Sequence, residues 1–337
     1  MTDKQTIDKL FHSFEGKRIL VIGDVMIDSY IWGGVDRISP EAPVPVVSVR
    51  KRENRLGGAA NVALNVRNLG GIAVLCSIIG DDDKARLFAE LMGRENLPAE
   101  GIIRSKQRLT TVKFRIFGNS TQMLRVDEES SHPLGAEEQS LLLGRITAMV
   151  EAGEIDAIVF EDYDKGVITA ELIAAVVALS KAADVPVAVD PKRKNFLSYG
   201  GVHLFKPNLK ELREGLKLDA DLSELSELEA AVKTLHEGYD IGLVLVTLSD
   251  KGVFLSGRNR RGGYHQRLIP AHVRSIADVS GAGDTVIGTA AMCLAAGASD
   301  ELMAALCNLA GGLVCEQVGV VPVDKHKLMD EAIRYFT

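Results

Sequence analysis

Continuous apolar runs of strand length recur along the chain, and segments with a helical repeat follow several of them. The runs at 18–23, 72–80, 157–162 and 242–249 hold the apolar residues expected of strands that are buried on both faces. The segment TAELIAAVVALSKAA at 169–183 has the length and small apolar residues of a packed helix. Repeated units of strand, helix and strand predict a mostly parallel sheet covered by helices on both faces.

Two segments depart from this pattern. Residues at about 30–52 include three prolines, which exclude a helix, and alternating valines, which favour an edge strand or a small sheet. Residues at about 107–126 alternate clearly between apolar and polar side chains. We predict that these two insertions pair into a small sheet, and that residues 285–337 are almost wholly helical. No long linker or internal repeat divides the chain, so residues 1–337 are predicted to form a single α/β domain.

The composition is that of an ordinary globular protein, with 46% hydrophobic and 25% charged residues. A net charge of -7 argues against a general nucleic-acid binder, because no dominant basic face is present. No apolar run reaches the roughly 18 residues of a membrane span, and the polar N-terminal segment lacks the core of a signal peptide, so we expect a cytoplasmic protein. Four cysteines without CxxC spacing are predicted to be buried reduced thiols: Cys76, Cys293, Cys307 and Cys315.

Polar side chains cluster where the predicted strands end. In open α/β sheets, ligands bind beyond the carboxyl ends of the strands. Aspartate and asparagine are also common helix caps and turn formers, so any one of these residues alone is more often structural. Their number at strand ends favours a ligand site. The residues concerned are Asp24, Asp28, residues 162–166, residues 190–192, Asn208, Glu211 and residues 247–252.

The segment DVSGAGDTVIGT at 278–289 places a carboxylate directly after a glycine turn. Gly281 and Gly283 allow a tight bend whose N–H groups point to one side, and at a helix start such groups suit a phosphate. Asp284 cannot bind that anion, but it can accept a proton from a hydroxyl that attacks it. From spacing alone, a general base and a helix N-terminal acid stabilised by the dipole are equally supported.

A second glycine pair lies early in the chain. Gly57 and Gly58 permit close approach of a ligand, and Asn61 offers the donor and acceptor that sugar hydroxyls need. Taken alone, a helix opened by glycines is the better interpretation. The chain has neither a GxxxxGK[ST] loop nor a GxGxxG after its first strand. Its seven scattered histidines do not predict a metal site.

Together these motifs resemble those of the ribokinase-like (PfkB) carbohydrate kinases over essentially the entire chain. The two signatures are GGAANVALNVRNLGG at 57–71 and DVSGAGDTVIGTAAMCLAAG at 278–297, and KPNLKE at 206–211 fits the Asn-x-x-Glu motif between them. Finer features resemble the heptose 7-phosphate kinases of lipopolysaccharide precursor synthesis. RISPEAPVPV at 37–46 is the most distinctive of these features, beside EDYDKG and VDPK.

The resemblance implies a ribokinase-like fold and use of ATP with Mg²⁺. Asp284 would be the catalytic base, and the N–H groups of Gly281, Ala282 and Gly283 would form the anion hole. Asn208 and Glu211 would organise Mg²⁺ and its waters, Glu211 through water. The nucleotide would be bordered by Thr247, Ser249 and Gly252, where Ser249 departs from the commoner Thr-x-Gly, and would have Asn308 and Gly312 near adenine. Asp278 and Ser280 would be candidate ligands of a monovalent cation such as K⁺.

For the sugar side, the resemblance implies that Asp28, Gly57, Gly58 and Asn61 bind hydroxyls. The candidates for heptose and its 7-phosphate are Arg125, Asp162, Tyr163, Lys165 and Lys192. A phosphorylated substrate needs a basic counter-charge, although Lys165 and Lys192 are equally interpretable as solvated loop charges. The insertions would form a lid that excludes water, and the valine-rich 44–49 run would suit lid pairing in a homodimer.

The expected reaction is ATP-dependent phosphorylation of D-glycero-β-D-manno-heptose 7-phosphate at the anomeric O1, giving the 1,7-bisphosphate for ADP-heptose synthesis. A separate heptose-1-phosphate nucleotidyltransferase is expected in the pathway, and no nucleic-acid or membrane partner. The alternatives are a kinase of the same family that acts on another sugar or nucleoside, such as ribose or fructose, and a noncatalytic sugar-phosphate sensor on the same scaffold.

Overall fold

The computed structural model describes residues 3–119, 121–259 and 263–337. Its strands are β1 (Arg18–Gly23), β2 (Val25–Ile38), β3 (Pro45–Gly58), β4 (Ile72–Gly80), β5 (Ile102–Ser105), β6 (Val112–Gly118), β7 (Thr121–Glu128), β8 (Ala157–Glu161), β9 (Val187–Asp190), β10 (Leu204–Phe205), β11 (Leu243–Thr247), β12 (Val253–Arg258) and β13 (Tyr264–Ile269). Its α-helices are α1 (Lys4–Ser13), α2 (Ala59–Asn68), α3 (Asp83–Arg94), α4 (Ala136–Glu151), α5 (Ala170–Ala183), α6 (Leu209–Gly215), α7 (Leu225–Tyr239), α8 (Ala282–Ala295), α9 (Asp300–Val314) and α10 (Lys325–Phe336).

The central sheet has the strand order β13-β12-β11-β10-β9-β8-β1-β4-β5 within the described residues. Every pair from β5 to β11 is parallel, and only β12 and β13 join antiparallel at one edge. The predicted parallel sheet is therefore confirmed. The antiparallel edge was not anticipated, because its residues lack the continuous apolar pattern of the buried strands.

Helices pack on both faces of this sheet, as predicted. Alternate residues of β1 separate into two cores, with Ile19 and Val21 in one and Leu20 and Ile22 in the other. All four side chains are fully buried, which explains why such strands are apolar throughout. The last third of the chain is helical in α8, α9 and α10, with a non-helical connection at 315–324.

A separate four-stranded sheet, here called the lid, has the order β3-β2-β6-β7. The two predicted insertions do pair, because β2 lies parallel to β6 with Asp28 opposite Lys113. The first insertion extends further than predicted, over Val25–Ile38 and Pro45–Gly58, because β2 begins two residues after β1 ends. The lid is thus attached directly to the carboxyl end of a central strand.

Two predictions from composition also bear on the described residues. All four cysteines are buried and free. No helix in the part of the chain that the structure describes is both long and apolar enough to cross a membrane.

Candidate active site

A cleft of about 850 Å³ lies at the carboxyl ends of the central strands. Its lining includes Tyr163, Asp190, Asn208 and Asp284, together with Gly312 on α9. The strand ends and the amino end of α8 converge here, which is where the topology of an open α/β sheet places a ligand.

The start of α8 brings Asp284 into this cleft. Gly281 is the N-cap residue and has φ 80°, a left-handed conformation that favours glycine. Further along the helix, Gly288 lies against Asn65 and Val62, so that α8 packs closely on α2. The small residues of the second signature therefore let the helix approach the sheet and direct its amino end at the cleft.

Asp284 is buried, and both of its carboxylate oxygens are held. Asn61 Nδ2 donates to Oδ2 at 2.8 Å, and the Tyr163 hydroxyl donates to Oδ1 at 2.7 Å. Burial raises the pKa of Asp284 to about 6; the two hydrogen bonds oppose this rise, and the negative charges of Asp190 and Asp28 add to it. Asp284 is consequently an oriented carboxylate that is ionised near neutral pH and can accept a proton.

Tyr163 reaches Asp284 because its loop is tied down by a buried carboxylate. Asp24 accepts hydrogen bonds from the backbone N–H groups of Tyr163, Lys165 and Val167 at 2.9, 3.0 and 3.1 Å. Burial also raises the pKa of the Tyr163 hydroxyl well above its ordinary value, so the hydroxyl stays protonated as a donor. Sequence analysis noted Asp24 at a strand end without giving it a role.

Two lysines and a buried aspartate lie beside the glycine turn. Asp190 Oδ2 is 2.8 Å from Lys206 Nζ, and its Oδ1 is 3.3 Å from Lys192 Nζ. Burial alone would raise the pKa of Asp190, but the two ammonium groups hold it below its ordinary value. A Cβ built on Gly283 would lie 3.4 Å from Asp190 Oδ2 and 3.7 Å from Lys206 Nζ. Lys206 opens the KPNLKE motif but was not among the predicted site residues.

Asn208 and Glu211 form a capping box at the start of α6. Asn208 Oδ1 accepts from the Glu211 N–H at 2.8 Å, and Glu211 Oε2 accepts from the Asn208 N–H at 2.9 Å. Glu211 Oε1 also pairs with Lys192. The motif therefore has a structural role in this chain, while the Glu211 carboxylate still lines the cleft.

The nucleotide candidates lie together further along the cleft. Thr247, Ser249, Gly252, Asn308 and Gly312 all line it. Ser249, where the resemblance leads one to expect glycine, has φ 57°. The backbone keeps the left-handed conformation that glycine adopts without strain, although the residue has a side chain.

Asp278 and Ser280 form a local unit before the turn. Asp278 Oδ1 accepts from the Ser280 N–H at 2.9 Å and its hydroxyl at 2.8 Å, and Oδ2 accepts from the Gly319 N–H at 2.9 Å. Burial acts to raise the pKa of Asp278, but these hydrogen bonds lower it overall. The carboxylate is ionised, and its oxygen atoms are of the kind that bind a cation.

Among the proposed sugar ligands, Asp28 lies on β2 at the entry to the lid and is paired with Arg115 of β6. Its Oδ2 is so near Gly57 that a Cβ at that glycine would lie only 2.2 Å away. Gly58 follows with φ 60° and precedes α2, whose third residue is Asn61. Glycine at 57 is thus required by the close approach of Asp28.

The remaining candidates for binding heptose and its 7-phosphate lie in different environments. Arg125 lies on β7 with its side chain 56% exposed and paired with Asp127 at 3.0 Å. Asp162 is buried and accepts hydrogen bonds from Asn195 at 3.0 Å and the Tyr199 hydroxyl at 2.8 Å, so its carboxylate is already occupied. Neither residue lines the cleft. Lys165 is paired with Glu129 at 2.7 Å.

A buried acid that sequence analysis did not select stands beside this cluster. Glu161 ends β8, opposite Asp190 of β9, and is fully buried. Neither of its carboxylate oxygens has a hydrogen-bond partner among the described residues. Burial first, and then the charges of Asp190 and Asp284, raise its pKa well above the ordinary value. Its surroundings therefore favour the protonated form of Glu161 more than water would.

Comparison with known proteins agrees with this geometry. A model described as pfkB family carbohydrate kinase matches residues 17–326. The bifunctional protein HldE of Caulobacter sp. is 41% identical over 324 residues, covering 96% of this chain and 64% of that protein. The bifunctional protein HldE of Pelobacter propionicus is 37% identical over 321 residues, covering 95% and 64%. The chain thus spans less than two thirds of the length of these relatives.

Solved structures share the fold at low sequence identity. Phosphofructokinase-2 from Escherichia coli in complex with potassium has a TM-score of 0.77 at 19% identity, with 95% of this chain and 99% of that chain covered. Ribokinase from Arabidopsis thaliana complexed with ribose and ATP has a TM-score of 0.70 at 17% identity, with 95% and 99% covered. The predicted ribokinase-like fold is confirmed.

Proposed function

The chain belongs to the pfkB family of carbohydrate kinases and is a sugar phosphotransferase; we propose that it transfers a phosphoryl group from ATP to O1 of D-glycero-β-D-manno-heptose 7-phosphate. The observation that carries the kinase chemistry is the Asp284 carboxylate, oriented by Asn61 and Tyr163 at the amino end of α8. The substrate is supported by the RISPEAPVPV segment and by the basic side chains around Tyr163. The proposal concerns the kinase step alone.

In this mechanism Asp284 accepts the proton of the anomeric hydroxyl as its oxygen attacks the terminal phosphorus of ATP. The first N–H groups of α8, at Gly281, Ala282 and Gly283, face the transferring group and stabilise its negative charge. The Ala282 N–H donates to the Val279 carbonyl at 3.3 Å, so its contribution requires this long hydrogen bond to open. Lys206 and Lys192 add positive charge beside the turn.

The cleft residues fit ATP accompanied by Mg²⁺. No cluster of three or more histidine, cysteine or acidic side chains that could hold a metal is found in the described part of the chain. Mg²⁺ normally binds through one or two carboxylates, waters and the substrate phosphates, and needs no such cluster. Glu211 supplies a carboxylate in the cleft, and Asn208 fixes its helix. The bound ion would neutralise phosphate charge.

A monovalent cation such as K⁺ is proposed at Asp278 and Ser280. The support is the ionised Asp278 carboxylate, whose hydrogen bonds fix the loop immediately before Gly281. A cation there would lock that loop and thereby position the N–H groups at the start of α8.

We also propose that two chains form a homodimer through the lid. Large apolar side chains are exposed on the lid strands, among them Val49, Leu124 and Val126 at 47%, 56% and 44%. A second copy of the lid would cover such side chains and close the free strand edge.

A coupled kinase assay with heptose 7-phosphate, ribose and fructose tests the substrate. We expect the highest kcat/KM with heptose 7-phosphate. Turnover of only the neutral sugars would reject this substrate and favour the alternative of a ribose or fructose kinase within the family.

Asp284→Asn separates an enzyme from a noncatalytic sensor. We expect a loss of at least about 10²-fold in kcat, because the general base is removed, while ATP binding measured by calorimetry stays nearly unchanged. Full activity of this variant would show that another group takes the proton.

A further inference from the structure

The lid places a partly buried ammonium group, that of Lys113, against Tyr163, and Tyr163 lines the cleft. Lys113 lies on β6, in register with Asp28 of β2 and with Asp127 of β7. Its Nζ lies 5.0 Å from the centre of the Tyr163 ring. Among the described residues, no hydrogen bond or ion pair to the Lys113 side chain is found, and the Tyr163 ring is the one partner of its ammonium group.

The anions around Lys113 are already paired with other cations. Asp28 is bound by Arg115 and Asp127 by Arg125 at 3.0 Å, while the nearby cation Lys165 is itself paired with Glu129 at 2.7 Å. Burial lowers the pKa of Lys113, the positive charges of Lys165 and Arg115 act in the same direction, and Asp28 and Asp127 oppose them. An ammonium in this position gains the most from an anion that the chain itself does not provide.

Tyr163 connects this ammonium to the reacting centre. Its hydroxyl donates to Asp284 Oδ1 at 2.7 Å, and the face of its ring lies under Lys113. A sugar placed against Tyr163 with one hydroxyl at Asp284 therefore has the Lys113 ammonium within the span of the same molecule.

The rival cations are less suited to a new anion. Lys192 is paired with Asp190 and Glu211, and Lys165 with Glu129, so each would have to give up a carboxylate. Arg125 is mostly exposed on the outer strand of the lid. Lys113 alone among these four is shielded from water without an anionic partner.

We propose that Lys113 binds the phosphate of the sugar phosphate substrate and makes the enzyme prefer a phosphorylated sugar to a neutral one. The inference rests on the proposed function, because it assigns the anionic end of that substrate. A phosphate dianion supplies the missing counter-charge and accepts a charge-assisted hydrogen bond from the ammonium.

The test compares heptose 7-phosphate with unphosphorylated heptose as substrates. Lys113→Met and Lys113→Gln remove the charge, and Lys113→Arg retains it. Lys51→Met is the matched control, because Lys51 is also a lid lysine over an aromatic ring, 4.8 Å from the centre of Trp32, and is largely exposed. Thermal unfolding of each variant identifies any that fails to fold, and either neutral variant suffices.

We expect the neutral variants to lose about 10- to 100-fold in kcat/KM for heptose 7-phosphate, mainly through KM, the range for a lost hydrogen bond to a charged group. Activity on unphosphorylated heptose should be retained, Lys113→Arg should keep most of the preference, and Lys51→Met should match wild type.

Two different failures are distinguishable. A wild-type enzyme that prefers the neutral heptose rejects the proposed substrate and, with it, this role of Lys113. A wild-type preference for heptose 7-phosphate that survives in Lys113→Met, or equal losses on both sugars, rejects the role of Lys113 and leaves the proposed function standing.

Discussion

At the scale of single residues, the protonation of Asp284, the proposed general base, would govern the proposed phosphoryl transfer. Burial raises its pKa to about 6, and the hydrogen bonds from Asn61 and Tyr163 restrain that rise. A base must be deprotonated to act, so kcat/KM should fall as the pH drops through about 6. The ordinary aspartate pKa of 3.8 would place this acidic limb two units lower.

Tyr163→Phe tests the restraint on that pKa. The variant loses the hydroxyl that donates to Asp284 Oδ1, so the pKa should rise and the acidic limb of the kcat/KM profile should move to higher pH. Tyr199→Phe is the matched control, since it removes a buried tyrosine donor to Asp162 instead. An identical limb in wild type and Tyr163→Phe would show that the hydroxyl does not tune the base.

Glu161 gives a stability prediction with the same physical origin. Its folded pKa is raised well above the ordinary 4.5, so its contribution to stability is complete below about pH 4.5 and is lost as the pH rises through the folded pKa. Glu161→Gln abolishes this titration. The melting temperature of the variant, relative to wild type, should therefore increase between about pH 5 and pH 8.

Circular dichroism melts at several pH values measure this difference. Glu154→Gln serves as control for the same substitution at an exposed position, because the Glu154 side chain is 61% exposed. A constant difference between Glu161→Gln and wild type would mean that Glu161 is ionised throughout this range.

At the scale of elements, we expect glycine to be needed at positions 281 and 283, at the start of α8, for two different physical reasons. Gly281 has φ 80°, and a Cβ there would lie 2.9 Å from Asn61 Nδ2, so Gly281→Ala should cost about 1–2 kcal/mol and displace the donor to Asp284. Gly283 has only ordinary contacts for a Cβ, and alanine is the better helix former.

Gly283→Ala should consequently fold as stably as wild type and still lose kcat/KM for ATP, because its methyl group stands on the side facing Asp190 and Lys206. Melting temperatures and steady-state kinetics of both variants separate the two effects. Wild-type activity in Gly283→Ala would show that the transferring phosphate does not lie on that side of the turn.

The pattern of apolar residues was sufficient to predict the buried strands, and it was insufficient to predict the more polar edge strands. The apolar runs that became β1, β4, β8 and β11 are read directly from the sequence, since burial on both faces demands continuous apolar residues. The edge strands β12 and β13 pair antiparallel, and the last residues of each are partly or fully exposed, so the signal is weaker.

The same limit applies to the site. Asp284 and Asn61 sit in recognisable glycine motifs, and the structure brings them within 2.8 Å of each other. Lys113 lies in no motif, and the motifs that Lys206 and Glu161 open do not show that these side chains are buried. Their importance comes from which charges the fold places around them, and that arrangement joins residues far apart in the chain.

At the scale of the whole molecule, the lid is the part that extends beyond the central layers. The chain passes from β1 through Asp24 directly into β2 of the lid. The lid is therefore attached at the residue that also holds the loop of Tyr163, a predicted sugar ligand. Asp28 of β2 and Lys113 of β6 are in register on neighbouring strands, while outer strand β7 is exposed along most of its length. We propose that such a lid closes the site from one side and leaves the edge of β7 available for a second copy.

Leu124→Glu tests whether the lid forms the homodimer. Leu124 is 56% exposed on β7, and a carboxylate there would be buried without a counter-charge if two lids pair. We expect wild type to sediment as a dimer and Leu124→Glu to sediment as a monomer with an unchanged melting profile at low concentration. Leu141→Glu is the matched control, because Leu141 is a similarly exposed leucine, at 49%, on α4 away from the lid. Because lid pairing would also hold in place the strands that carry Asp28 and Lys113, the KM for the sugar should rise more than the KM for ATP in monomeric Leu124→Glu. A variant that remains dimeric would place the contact between subunits on another surface.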